Sequence, residues 1–339
     1  MKIVADPNIP FVREAFGPLG DVQLVPGRQM TPATVREAEL LLVRSVTPVN
    51  AALLDGSRVR FVATATIGTD HVDEAHLVQR GIGFASAAGS NANSVAEYIV
   101  AALLELGYQG KTLGVVGVGN VGSKVVRYAT ALGMRVLQND PPRQRAEKLP
   151  EFVTLDRIGA EADIITFHVP LTKSGPDATF HLFEPRGGII INTSRGAVLD
   201  NQALLTAPLA GLVLDVWEGE PTILPALLEK ADFGTPHIAG YSFDGKVNGT
   251  RMIYEAACRH FGLSGSWKPE LPAPANPVLT GHNLRSVVRQ AYDITADDAA
   301  LRRDYRHFDR LRAEYPVRRE FFNYATSRSE AAALGFRPV

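Results

Sequence analysis

Short apolar runs alternate with longer amphipathic ones through the first part of the chain. Residues 3–6, 22–25, 40–44, 60–65 and 83–87 are apolar and only a few residues long, which predicts strands. The stretches between them, such as 11–19 and 72–80, have apolar residues at helical spacing. Alternation of this kind predicts βαβ units and a parallel sheet. A second series opens at Leu113, with predicted strands at 113–116, 135–139, 163–167, 188–192, 212–216 and 232–234. The pattern therefore predicts an α/β protein with two doubly wound parallel sheets in tandem. Residues 94–106 predict a helix that joins them, with Ser94 as N-cap and Glu97 three positions on, a capping box. Residues 241–261 predict another helix, which crosses back onto the first sheet.

These elements set the expected domains. Residues 1–93 with 241–265 form the first, and residues 94–240 the second. A proline-rich linker, 271–277, then leads to a small C-terminal α+β domain at 277–339. In that last segment Leu301, Phe308, Leu311 and Tyr315 are apolar anchors among many arginines and aspartates. The mixture predicts a face that packs on a partner subunit. Three connections, 107–111, 170–187 and 206–211, look short for parallel crossovers.

Composition changes this picture little. Of 339 residues 35 are basic and 36 acidic, so no global field points to nucleic acid or to an anionic membrane. The single cysteine, Cys258, excludes an intrachain disulfide and has no Cys or His neighbours of a zinc site. The chain opens on a strand and not on a signal peptide, and the longest helical apolar run, 98–104, is too short to span a bilayer. A cytoplasmic enzyme without a metal is expected.

The most informative chemistry lies at the end of the strand at 113–116. Gly117, Gly119 and Gly122 form a GxGxxG turn, with Val118, Asn120 and Val121 between them, and a helix follows. The first glycine permits the turn, the second lets the backbone approach a pyrophosphate, and the third lets helix and strand pack closely. The helix opening near Asn120 directs N–H groups at the phosphates. Asp140 ends the next strand, where it can bond the adenosine ribose hydroxyls, and no arginine occupies that tip although Arg143 is near. NAD is therefore expected over NADP. The turn makes the second sheet a Rossmann domain.

Three later strand ends carry polar groups. Thr193, Ser194 and Arg195 follow the strand at 188–192, and a guanidinium there can clamp a carboxylate with two hydrogen bonds. Asp215 and Glu220 follow the next strand. His237, Gly240 and Tyr241 follow the one after. A histidine beside a carboxylate loop reads as a general base held by an acid. In the first sheet Arg44, Ser45 and Thr66 lie at strand ends, where hydroxyls and a charge suit a phosphate oxygen.

Together these residues resemble the D-2-hydroxyacid dehydrogenase superfamily, which pairs the glycine turn with arginine, glutamate and histidine in that order. Within it the chain is similar to the branch that oxidises 4-phospho-D-erythronate in vitamin B6 formation. That closer likeness rests on residues 43–47, 63–73, 215–221 and 237–241 and on the C-terminal segment. The resemblance implies Arg195, Glu220 and His237 as catalytic residues, Asp140, Asp215 and Gly240 as cofactor contacts, and Ser45, Thr66 and Tyr241 as substrate contacts. It also implies a flavodoxin-like first domain and a dimerisation domain at 277–339, hence a homodimer. Two other readings stay open: a dehydrogenase of another hydroxy acid such as phosphoglycerate, and an NAD-sensing interaction protein of the same fold.

Overall fold

Leu40–Val43 and Phe61–Thr64 are buried at every position. A parallel strand covered by helices on both faces requires this, and it explains why these runs are continuously apolar and not alternating. Together with Lys2–Ala5, Asp21–Leu24 and Gly83–Ser86 they form one sheet. Numbered in chain order as β1 (Lys2–Ala5), β2 (Asp21–Leu24), β3 (Leu40–Val43), β4 (Phe61–Thr64) and β5 (Gly83–Ser86), the strands are all parallel and run β2-β1-β3-β4-β5. That is the flavodoxin order. The helix Phe243–Phe261 packs on this sheet, with Ile253, Tyr254 and Ala257 in the same core as Ile3, Leu42 and Phe61. The computed structural model describes residues 1–185 and 187–339. It divides into two units, residues 1–91 with 243–272 and residues 92–242 with 273–339.

The second unit holds β6 (Thr112–Val116), β7 (Arg135–Asn139), β8 (Ile164–Phe167), β9 (Ile189–Asn192), β10 (Gly211–Leu214) and β11 (Phe233–Gly234). Their order is β11-β10-β9-β8-β6-β7, again all parallel. A single parallel bridge, Gln138 to Phe152, continues the sheet beyond β7. With that bridge in the place of a third strand, the succession is that of a dinucleotide-binding sheet. Its switch point lies between β6 and β8.

The crossover from β9 to β10 uses the six-residue helix Asn201–Thr206. Asp200 caps its start, and the Lys230 ammonium donates to the carbonyls of Leu204, Leu205 and Ala207 at its end. A fixed cation at a helix C-terminus offsets the unpaired carbonyls that so short a helix leaves. Residues 107–111 are a turn that closes with Gly107 and Gly110 at positive φ. Among the described residues, 170–185 form neither helix nor strand.

Two sequence expectations need correction. The joining helix runs Ala92–Glu105, so Ser94 and Glu97 lie inside it, fully buried, and form no capping box. Their polar groups serve tertiary contacts: the Ser94 hydroxyl donates to the Ala239 carbonyl, and Glu97 accepts from Phe321 N–H. The C-terminal anchors do not wait for a partner subunit either. Leu301 and Phe308 are buried in the core of their own chain with Trp217, Leu227 and Leu228. Arg302 fastens the same contact through the carbonyls of Leu228 and Ala231. The segment also adds β12 (Val278–Leu279), β13 (Ala325–Thr326) and β14 (Arg337–Pro338) as a small parallel sheet. Among the described residues no helix is long and apolar enough to cross a membrane.

Because Phe308 is only 1% exposed, Phe308→Ala should cost about 3–5 kcal/mol of stability. Denaturant unfolding at several protein concentrations checks this. An undiminished midpoint would mean that the segment does not share the second unit's core.

Candidate active site

The turn after β6 needs each glycine for a separate reason. Gly117 has φ +85°, and a Cβ there would come within 2.6 Å of the His168 carbonyl oxygen on β8's exit. A Cβ on Gly122 would come within 1.9 Å of the Gly117 carbonyl oxygen, because the helix Asn120–Ala131 starts against the turn. A Cβ on Gly119 would meet nothing within 4 Å. Its open side is the approach a pyrophosphate requires, so the turn fits a dinucleotide.

Asp140 steers the rim of this turn. One oxygen accepts Val118 N–H at 2.9 Å and the other accepts Arg143 N–H at 3.0 Å, capping the helix Pro141–Glu147. The same helix points Arg143 back at the turn, where its guanidinium donates to the Val118 carbonyl at 2.6 Å. The expectation of a tip without arginine is therefore corrected. Glu147 matches that charge through two hydrogen bonds of 2.7 Å each.

The ends of β10 and β11 are joined through one buried carboxylate. Asp215 is 1% exposed and accepts from the Thr235 hydroxyl, Ile238 N–H and Ala239 N–H at 2.7, 2.7 and 2.9 Å. Burial pushes its pKa above the ordinary carboxylate value, against the pull of His237 and these donors. The Asp215 carbonyl also accepts His237 N–H at 2.7 Å. So tied, His237 holds a left-handed backbone at φ 57°. Its Nδ1 lies 2.7 Å from Glu220 Oε2, while Glu220 Oε1 accepts Trp217 N–H at 2.7 Å. An ionised carboxylate only accepts, so Nδ1 donates and Nε2 is left as the acceptor face of a neutral imidazole.

Arg195 stands half-buried on the neighbouring exit, in a loop shaped by Asn192, whose side chain accepts from Ser194 and donates to the Arg195 carbonyl. Gly196 lets this loop press against the next one. A Cβ there would lie 2.0 Å from the Trp217 carbonyl carbon. Thr193 and Ser194 belong to the same exit, with the Thr193 hydroxyl 3.4 Å from His168 Nδ1. Gly240 and Tyr241 lie three and four positions past His237. The Tyr241 ring is flanked by Tyr315 at 6.0 Å and by the Arg312 guanidinium at 5.5 Å.

The first unit carries its own group. The Thr66 hydroxyl donates to the Gly68 carbonyl at 3.2 Å and lies 2.6 Å from the Thr64 hydroxyl, which meets His71 Nε2 at 3.0 Å. Burial lowers the His71 pKa despite Asp70 beside it. Arg44 is half-buried and Ser45 exposed, in the turn just past β3.

Sequence reasoning missed two things. His168 leaves β8 at the switch point, with Nε2 3.0 Å from the Thr166 hydroxyl. The strand-end rule that found His237 also applies to it. The fold also gathers ligand atoms of His181, Asp200 and Glu218 within 4.8 Å of one another, a group that no sequence spacing announced. There the His181 ring faces Glu218 with Nε2 and Asp200 with Nδ1.

Burial lowers the His168 pKa from 6.5 to about 3. The unfolded chain therefore takes this proton first, and acid favours unfolding from pH 6.5 down to about 3. Lowering the pH from 6.5 to 5 should remove about 2 kcal/mol through this residue. His168→Gln should unfold with a shallower pH dependence over that range. Equal slopes in denaturant titrations would contradict the assignment.

The family model of the D-isomer specific 2-hydroxyacid dehydrogenase NAD-binding domain matches residues 91–239, and a domain of unknown function matches 274–334. Erythronate-4-phosphate dehydrogenase of Salinibacter ruber is 49% identical over 94% of this chain and 92% of its own. The protein of that name from Cellvibrio japonicus is 46% identical over all of both. That alignment spans 380 positions against 339 residues here, so the relative carries residues that this chain lacks. Among solved structures, NAD-bound 3-phosphoglycerate dehydrogenase of Entamoeba histolytica aligns with a TM-score of 0.64 at 24% identity. It covers 77% of this chain and 95% of its own, and it supports the fold. The chain belongs to the erythronate-4-phosphate dehydrogenase family of NAD-dependent D-2-hydroxyacid dehydrogenases.

Proposed function

We propose that this protein oxidises the C2 hydroxyl of 4-phospho-D-erythronate to the ketone, 3-hydroxy-2-oxo-4-phosphooxybutanoate, in the formation of pyridoxal 5′-phosphate. The observation that carries the reading is the 2.7 Å contact of His237 with Glu220, on a chain similar to its relatives from end to end. NAD supplies the nicotinamide ring that accepts the hydride from C2. Arg195 binds the substrate carboxylate and polarises the forming carbonyl. His237 Nε2 takes the hydroxyl proton, and Glu220 stabilises the imidazolium that results. Asp140 bonds the adenosine ribose. Thr193, Ser194, Asp215 and Gly240 complete the cofactor side. Arg44, Ser45, Thr66 and Tyr241 hold the phosphate end, so that remote binding energy positions C2. We assign the protein to the cytoplasm, where its one buried thiol, Cys258, stays reduced. We assign it a homodimer through the C-terminal domain. There Val278, Val317 and Phe322 are 53, 73 and 48% exposed. A monomeric mass in light scattering at micromolar concentration would remove the dimer from the proposal.

Three expected outcomes follow from the roles. The first is that 4-phosphoerythronate turns over with NAD, a 2-oxo acid being present to recycle bound NADH, and that erythronate falls behind by about tenfold or more in kcat as well as affinity. Equal use of erythronate, or preference for 3-phosphoglycerate, would move the protein to another hydroxy acid. The second is that His237→Ala loses about 10²- to 10⁴-fold in kcat while NADH affinity is kept; near-native turnover would end the assignment of the base. The third is that Asp140→Ser narrows the preference for NAD over NADP, read as a ratio of kcat/KM, by removing repulsion of the 2′-phosphate.

A further inference from the structure

We propose that Arg318 is a positioning residue for hydride transfer: it holds the Ala239 peptide, two positions past His237, and so makes the C-terminal domain part of the active site's framework. The inference rests on His237 being the base.

A histidine at φ 57° is in a strained backbone region that persists only where its surroundings over-determine it. Asp215 holds one side of the loop, through Ile238 N–H and Ala239 N–H. The other side is held by residues from opposite ends of the unit. The Ala239 carbonyl accepts from the Ser94 hydroxyl and from Arg318 Nη2, both at 2.9 Å. Arg318 Nη2 also donates to the Ser94 carbonyl at 2.7 Å, so one guanidinium ties the helix Ala92–Glu105 to the loop. Ser242 N–H donates to the Ser94 hydroxyl, the Ser242 hydroxyl donates to Glu320 Oε1 at 2.7 Å, and the backbones of Ser242 and Arg318 form a parallel bridge. The peptides on both sides of Gly240 and Tyr241 are thus fixed by the segment that carries Arg318.

The placement of the cation is specific. Arg318 is 5% exposed, with its guanidinium carbon 4.1 Å from the centre of the Tyr292 ring, and the Tyr292 hydroxyl donates to Asp297. Stacking on that ring aims Nη2 at the two carbonyls. The Arg318 Nη2 hydrogen bonds go to the backbone carbonyls of Ser94 and Ala239. The C-terminal domain also supplies Tyr315 and Arg312 beside the Tyr241 ring. The family model that matches residues 274–334 is described as a domain of unknown function.

The test uses the full-length enzyme with Arg318→Met, Arg318→Lys, Ser94→Ala and His237→Ala, each compared with the native protein. Folded sites are counted by NADH titration, and kcat is expressed per NADH site on whichever hydroxy acid the native enzyme turns over. Arg318→Met should lower kcat per site by about tenfold or more, with NADH affinity within about twofold, since a misplaced base is felt mainly in chemistry. A C2-deuterium isotope effect should grow as chemistry becomes slower. Arg318→Lys should restore part of the rate. Ser94→Ala removes one of the two donors on Ala239 and should lose about threefold, and it decides the matter if Arg318→Met fails to fold. A purely structural role would lower the melting temperature and leave kcat per site and the isotope effect at native values, and that result overturns the proposal. If His237→Ala keeps its turnover, the assignment of the base has failed instead.

Discussion

One buried carboxylate organises the strand exits that carry Glu220 and His237. Asp215 leaves β10 with no access to water and takes three donors from the exit of β11. A buried carboxylate without such partners would cost several kcal/mol, so the loop and the acid specify each other. His237 depends on that bargain through its own N–H on the Asp215 carbonyl, and Glu220 then meets its ring. Tyr98 extends the arrangement inward. Its hydroxyl lies 2.8 Å from the Thr235 hydroxyl, and burial raises its pKa well above the ordinary value, so it stays neutral beside the acid.

The glycine turn at the switch point follows the same logic with backbone in place of charge. Gly117 and Gly122 are fixed by what lies behind them, and only Gly119 faces open space. Asp140 and Arg143 brace the Val118 peptide from both its N–H and its carbonyl side. The cofactor cradle is therefore set by hydrogen bonds within the chain, and a ligand meets backbone that is already oriented.

Much of this was legible in the sequence because it is local. Runs such as Leu40–Val43 and Ile189–Asn192 are apolar at every position, as buried parallel strands must be, and the glycine turn and its acid come in one βαβ unit. Glu220 and His237 could be read because each follows a strand end. What could not be read depends on partners far away in the chain. Ser94 and Glu97 have the spacing of a capping box, and only the fold shows that their bonds go to Ala239 and to Phe321, 224 residues beyond Glu97. Leu301 and Phe308 look like an exposed stripe among charges until the helix Pro225–Lys230 is seen to cover them. Arg143 was near the tip in sequence, but the cap at Asp140 is what turns it inward.

The central claim is that this framework presents His237 with its proton on Nδ1 and with Nε2 free to take one from the substrate hydroxyl. The most direct measurement is the ¹⁵N–¹H NMR tautomer pattern of the His237 ring, in the native protein and in Glu220→Gln, at a pH where the ring is neutral. The account predicts a protonated Nδ1 bonded to Glu220 and an unprotonated Nε2 in the native enzyme, with that order lost in the variant. A native ring protonated on Nε2, or a pattern indifferent to the loss of the Glu220 charge, would contradict it.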